Sequence, residues 1–225
     1  MNNIAEVYAL LFRHFGAQGW WPITVKGSRP TYNKKTELND KRRFEIIAGA
    51  ILAQNTSWKN AEKAIIELNR RKLIDIEKII KIKKEELAKL IRSSGYYNQK
   101  AERLKTAAKF FKDRMAELRE LETGELRARL LEVKGIGKET ADSIILYAFE
   151  KPIFVIDAYT KRIFERLGYR AKEYDEWQKL FMDNLPKDTA LFKEYHALIV
   201  ELGKRNCRKK QECAGCAIAE LCSRG

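Results

Sequence analysis

Apolar residues recur along most of the chain at intervals of three and four, the mark of helices that bury one face. The first such run covers Asn3 to Phe15, and an irregular stretch from Gly16 to Leu38 follows, broken by Gly19, Pro22, Gly27 and Pro30. Asn39 or Asp40 then caps a helix running to about Gln54. Its central sequence, FEIIAGAILAQ, is apolar almost all round, which places it in the middle of a bundle. Helices follow at Trp58–Arg70, Ile76–Lys81 and Lys84–Ile91, and Ser93-Ser94-Gly95 ends that series. Asn98 opens a long helix to about Leu118, with Ala101, Leu104, Ala107 and Phe111 on one stripe. Thr123 opens a short one that stops before Lys134-Gly135-Ile136-Gly137, and Lys138–Phe149 resumes with Ala141, Ile144, Ile145 and Ala148 aligned. Ile153-Phe154-Val155-Ile156 reads equally as a short strand or as an extended connection. Helices at Ala158–Leu167, Tyr174–Leu185 and Thr189–Gly203 complete the series. The predicted fold class is all-α.

The 225 residues suffice for one large domain or two modest ones, and the apolar fraction of 45% is enough to build a core. No apolar run approaches the ~18 residues of a membrane span. Met1 to Gly16 lacks the basic start and the small-residue cleavage site of a signal peptide. A soluble, intracellular (cytoplasmic) protein is expected, acting as a monomer. Charge narrows the partner. Lys and Arg number 45 against 31 Asp and Glu, a formal excess of +14. Such an excess favours polyanions, because neutralising phosphates releases their condensed counterions. A solubilising surface is the plainer use of the same charge.

Two motifs carry chemistry. Leu131-Glu-Val-Lys-Gly-Ile-Gly-Lys-Glu-Thr-Ala141 is a helix, a glycine turn and a second helix. Gly135 and Gly137 are both able to take positive φ, which would aim backbone N–H groups outward at the positive end of the following helix. A phosphate suits that arrangement; a simple helix-capping turn between packed helices satisfies it equally. The four cysteines, Cys207, Cys213, Cys216 and Cys222, all lie near the C-terminal end, with spacing x5, x2, x5. Thiolates so close in sequence read as a local metal site, zinc in the general case, and not as a disulfide framework.

A glycine hairpin, an aspartate after an apolar run (Val155-Ile156-Asp157) and a terminal cysteine cluster resemble the layout of helix-hairpin-helix DNA glycosylases of the endonuclease III superfamily. The resemblance spans roughly Phe44 to Cys222 and includes Ala53-Gln54-Asn55-Thr56 and Gly95-Tyr96-Tyr97-Asn98-Gln99-Lys100-Ala101. It implies two helical domains with a cleft between them: residues 36–151, holding the hairpin at 131–149, and residues 1–35 with 152–225, holding the cysteine loop at 207–222. It implies that Asp157 is catalytic, stabilising positive charge on the sugar and orienting water, a role that suits a fixed carboxylate. Asp157 also reads as the N-cap of the helix at Ala158. For the cysteines it implies a [4Fe–4S] cluster, although the family spacing is x6, x2, x5 and the first gap here is one residue shorter.

Bifunctional relatives carry a lysine directly after the hairpin, eighteen residues before the aspartate; that position here is Glu139. A carboxylate cannot form a Schiff base, and the adjacent Lys138 is turned about 100° round the helix. Monofunctional base excision is therefore expected. Gln18-Gly-Trp-Trp-Pro22, with Phe44, resembles the aromatic pocket of the 3-methyladenine DNA glycosylase branch, as does the hairpin tail through Asp142. Trp20, Trp21 and Phe44 would stack on a cationic alkylated purine; core packing is the alternative for all three. The expected partner is double-stranded DNA containing damaged bases. Gln54 would fill the gap left by a flipped nucleotide, and Tyr97 or a neighbour would wedge the opposite strand. Gly135, Gly137 and Lys138, with Arg208, Lys209 and Lys210 of the cysteine loop, would hold the DNA backbone. Two other readings stand beside this one: excision of uracil, mispaired thymine or oxidised bases, and a non-catalytic DNA-structure-binding protein stapled by its cluster. The two histidines, His14 and His196, have no ligand spacing and read as surface or partly satisfied side chains.

Overall fold

The computed structural model describes residues 4–32 and 36–222. Asn3, predicted as the first helical residue, lies outside them, as do the ends of the expected domain ranges at 1–2, 33–35 and 223–225. Among the described residues there is no strand, only an isolated antiparallel bridge between Ile23 and Thr31. None of their helices is long and apolar enough to cross a membrane. The chain divides into two compact units, Met1–Trp20 with Pro152–Gly225, and Trp21–Lys151.

The second unit begins at Trp21, earlier than the break expected near residue 36. Side-chain chemistry explains the difference. The Glu45 carboxylate accepts hydrogen bonds from the Thr24 backbone N–H at 3.1 Å and hydroxyl at 2.6 Å, and Asn69 donates to the same oxygen at 3.3 Å. Glu45 is 3% exposed, and burial pushes its carboxyl up while those donors pull it back. An acidic residue within the buried stretch of the following helix is thus the anchor that fastens the preceding segment to it.

That helix is α2 (Asp40–Leu52), capped by the Asn39 side chain, which accepts from the Arg42 N–H at 3.0 Å; every residue from Phe44 to Leu52 is buried. Packed near it are α3 (Trp58–Arg70), the short α4 (Ile76–Lys81) and α5 (Lys84–Leu90), and α6 (Tyr97–Phe111). The single helix expected from Asn98 to Leu118 is two. It stops at Phe111 and restarts as α7 (Met115–Glu120), because Asp113 takes a left-handed conformation at φ 60°. Met115 and Leu118 still face the core, so the apolar period continues across the break and hides it in the sequence. Then come α8 (Thr123–Leu131), the glycine turn, and α9 (Lys138–Ser143), which relaxes into a π-helical turn over Ile144–Ala148.

The first unit contains α1 (Ile4–Phe15), α10 (Ala158–Arg166), α11 (Tyr174–Asn184) and α12 (Thr189–Arg205). Its core is aromatic: Phe154 stacks on Phe181 at 4.1 Å and meets Phe192 and Tyr195 edge-on. The run Ile153–Ile156 is an extended connection. Side chains of α11 replace a strand partner: the Tyr174 hydroxyl accepts from the Ile156 N–H at 3.2 Å, and Gln178 donates to the Phe154 carbonyl at 2.6 Å. Both backbone groups are satisfied without a sheet.

Candidate active site and nucleic-acid interface

Asp157 sits at the end of that extended run, as the N-cap of α10. One carboxylate oxygen accepts from the Thr160 N–H at 2.7 Å and the Thr160 hydroxyl at 2.8 Å. The other faces His196 Nε2 at 3.7 Å, too long for a hydrogen bond but close enough for charge to be felt. The side chain is only 12% exposed. Burial alone would raise the carboxyl, but His196 and the two Thr160 donors outweigh it and hold it below the usual carboxylate range. The arrangement yields a fixed anion at neutral pH.

His196 was not foreseen beside Asp157. It is 7% exposed, on the inner face of α12, and touches the one residue expected to do chemistry. The available signal was weak: a polar residue within the apolar run Tyr195 to Val200. Two helical turns further along, Lys204 extends over the Trp20 ring, its ammonium 5.2 Å from the centroid. Burial lowers this lysine, and the charges of Glu201 and Asp157 partly restore it. Trp20 and Asp157 therefore belong to one unit together with a half-buried cation.

Trp21 and Phe44 belong to the other unit. Trp21 lies against Gly49 of α2, where a Cβ would stand 3.1 Å from the indole, and packs on Trp58 and Tyr147, each at 5.2 Å between centroids. Phe44 is 1% exposed. Phe44 thus occupies a core position, the alternative left open for it, whereas Trp21 is half-buried.

The hairpin turn gives the two glycines different jobs. Gly135 takes φ 95°, and a Cβ there would come within 2.5 Å of Arg103 Cγ. Gly137 is extended, not left-handed as expected: it is the N-cap of α9 at φ −94°, and a Cβ would meet nothing within 4 Å. Lys138 and Glu139 are both exposed on the first turn beyond it. Gln54 donates to the Gly135 carbonyl at 2.9 Å and the Thr140 hydroxyl at 3.0 Å, and Arg103 donates to its carbonyl oxygen. The residue expected in a DNA gap is thus fastened to the hairpin.

Lys100 ties this region together. Its side chain is 1% exposed and donates to the carbonyls of Leu52 at 2.8 Å and Ser94 at 2.6 Å, joining the end of α2 to the turn before α6. Burial and the nearby Arg103 push its pKa down to about 8. At that turn Tyr96 is 72% exposed and left-handed at φ 43°, whereas Tyr97 is half-buried with Arg92 over its ring at 6.0 Å.

Cys207, Cys213, Cys216 and Cys222 line one cavity, walled by Ile163, Leu167 and Ile218. Arg166 of α10 donates to the Cys207 sulfur at 3.0 Å and to the Lys209 carbonyl at 3.1 Å. Among the described residues no three His, Cys, Asp or Glu side chains are gathered tightly enough to hold a single ion. Four soft donors around a shared space, with a guanidinium against one of them, fit a polynuclear iron–sulfur group in charge and in ligand type. Arg208, Lys209 and Lys210 are exposed on this loop, Arg208 paired with Glu212 at 3.1 Å.

An ionised carboxylate at a helix start and a glycine hairpin occur together in the helix-hairpin-helix enzymes that excise bases from DNA. The chain belongs to the HhH-GPD superfamily of base excision DNA repair proteins, whose profile matches residues 48–187. It is 45% identical over 226 residues to a protein of Methanocaldococcus jannaschii provisionally named as a DNA repair glycosylase, covering 97% of this chain and 95% of the relative. Among solved structures it is similar to the H. pylori 3-methyladenine DNA glycosylase bound to 1,N6-ethenoadenine, at 29% identity and a TM-score of 0.69, over 91% of this chain and 98% of the other. A trapped endonuclease III–DNA covalent intermediate shares the fold, with a TM-score of 0.76 at 20% identity over 99% of this chain and 97% of the other. The protein is a base excision repair DNA glycosylase, and its partner is DNA.

Proposed function

We propose that the protein is a monofunctional glycosylase hydrolysing the N-glycosidic bond of alkylated purines such as 3-methyladenine. The observation that carries this reading is the Asp157 carboxylate, held ionised by Thr160 and His196 in a chain whose hairpin supplies Glu139 where an amine would be needed. As the bond to the base lengthens, the sugar becomes oxocarbenium-like, and a fixed anion stabilises that charge. Asp157 orients the water that completes the reaction, and Thr160 and His196 fix the carboxylate. An alkylated ring nitrogen makes the purine a good leaving group, so one carboxylate is sufficient. The likeness to the H. pylori enzyme supports the choice of lesion.

We assign base stacking to Trp20, the indole in the same unit as Asp157. Gln54 fills the vacated place in the duplex after leaving its bonds to the hairpin. The wedge is assigned to Tyr96, which presents its ring to solvent, in preference to Tyr97. Backbone amides of Gly135, Gly137 and Lys138, with Arg208, Lys209 and Lys210, bind phosphates and position the duplex without reading it. The four cysteines would hold a [4Fe–4S] cluster, whose chemistry here is to cross-link the basic loop.

Single-turnover release of bases from methylated DNA, compared with uracil-containing duplex, tests the reading. Release of methylated purines and no adduct on borohydride reduction are expected; a trapped enzyme–DNA adduct, or release of uracil alone, would refute it.

A further inference from the structure

Lys204 is absorbed by none of the roles above, yet it occupies the most sensitive place in its unit. It lies eight residues after His196 on α12, on the same face of the helix. Its ammonium stands over the Trp20 ring at 5.2 Å and feels Asp157 and Glu201. The ring's negative face and the Asp157 anion are the two features that would attract a cationic base, and a cation of the protein already uses both.

We propose that Lys204 is a specificity-determining residue that biases the site toward neutral damaged purines over cationic ones. The inference rests on the alkylpurine reading and refines it. Methylation at a purine ring nitrogen removes a lone pair and adds a positive charge, so such a base meets like charge at Trp20 and offers no acceptor at the alkylated position. A neutral adduct such as 1,N6-ethenoadenine stacks without that repulsion and keeps ring nitrogens that accept a hydrogen bond from the ammonium. It is also the poorer leaving group, and donation to the departing base is the help it requires. Lys204 therefore slows one class of lesion and assists the other. The partial burial that lowers its pKa is in keeping with a cation working in a desolvated place.

The test is the ratio of single-turnover rates on 3-methyladenine and 1,N6-ethenoadenine duplexes for the wild type, Lys204→Met and Lys204→Arg. Lys204→Met should shift the ratio toward the cationic lesion by about tenfold or more, a change equal to roughly 1.4 kcal/mol in relative barrier. Lys204→Arg, which keeps the charge, should stay near the wild-type ratio. Lys204→Gln provides the same reading if the methionine variant does not fold. A ratio that neutral substitutions leave within about twofold of wild type would overturn the charge filter alone. Failure of the wild type to release either lesion would overturn the alkylpurine reading and this inference together.

Discussion

Asp157→Asn separates catalysis from folding at this site. Asparagine is as good an N-cap as aspartate, so it keeps the bonds from Thr160 and should change stability by less than about 1 kcal/mol. What it removes is the charge. A carboxylate about 4 Å from a developing oxocarbenium, in surroundings with an effective dielectric near 20, contributes about 4 kcal/mol. The 12% exposure of the side chain justifies that intermediate dielectric. Converted at roughly 1.4 kcal/mol per decade, the base-release rate should fall by about a thousandfold. Single-turnover base release should be measured beside DNA affinity and thermal unfolding, and only the first should move. A variant that retained a rate within about fivefold of wild type would show that the carboxylate is only a cap. The pH dependence has a definite sign. The folded carboxyl ionises at lower pH than the unfolded one, so its contribution to stability is present above the ordinary carboxylate range and is lost as pH falls through the depressed value. Asp157→Asn should abolish that component of acid destabilisation.

Lys100→Met leaves the Leu52 and Ser94 carbonyls without their donor and should destabilise the protein by about 2 kcal/mol in denaturant unfolding. Because the folded lysine titrates near 8 and the unfolded one at its ordinary higher value, the unfolded chain holds more protons between them; wild type should therefore gain stability relative to Lys100→Met as pH rises from about 7.5 to 9.5. Gly135→Ala combines a positive φ with a clash against Arg103 and should cost about 1–3 kcal/mol in thermal unfolding. Gly137→Ala meets open space and should unfold within about 0.5 kcal/mol of wild type, while DNA affinity falls because the added methyl stands where the backbone approaches phosphate. Protein purified without oxygen should be brown with broad visible absorbance, and Cys216→Ser should bleach it; a colourless wild type containing zinc would refute the cluster assignment.

Local chemistry was legible in the sequence and tertiary chemistry was not. Asn39 and Asp157 announce helix starts because a cap bonds to a backbone group only three residues away. The stop at Asp113 was invisible because the apolar stripe resumes in phase beyond it. Glu45 and Lys100 look like ordinary surface charges at their positions, since Thr24, Asn69 and Ser94, which satisfy them, are named by nothing in the local pattern. The same holds for the site. Asp157 is a candidate because of its motif, whereas His196 and Lys204 reach it only through the packing of α10 on α12. The Tyr96 exposure likewise follows from a left-handed backbone that sequence alone does not dictate.

One short rod connects two parts of the first unit. Helix α10 has nine residues, a length of about 13 Å, with Asp157 at its start. From its far half Arg162 and Arg166 reach across to the Cys207 carbonyl and sulfur. A rod clamped at one end transmits tilt to the other, so slackening the thiol loop would swing the acid away from its aim without touching it. If the proposed cluster is held there and Asp157 acts as proposed, its loss would silence hydrolysis mechanically, as a lever slips when its pivot loosens.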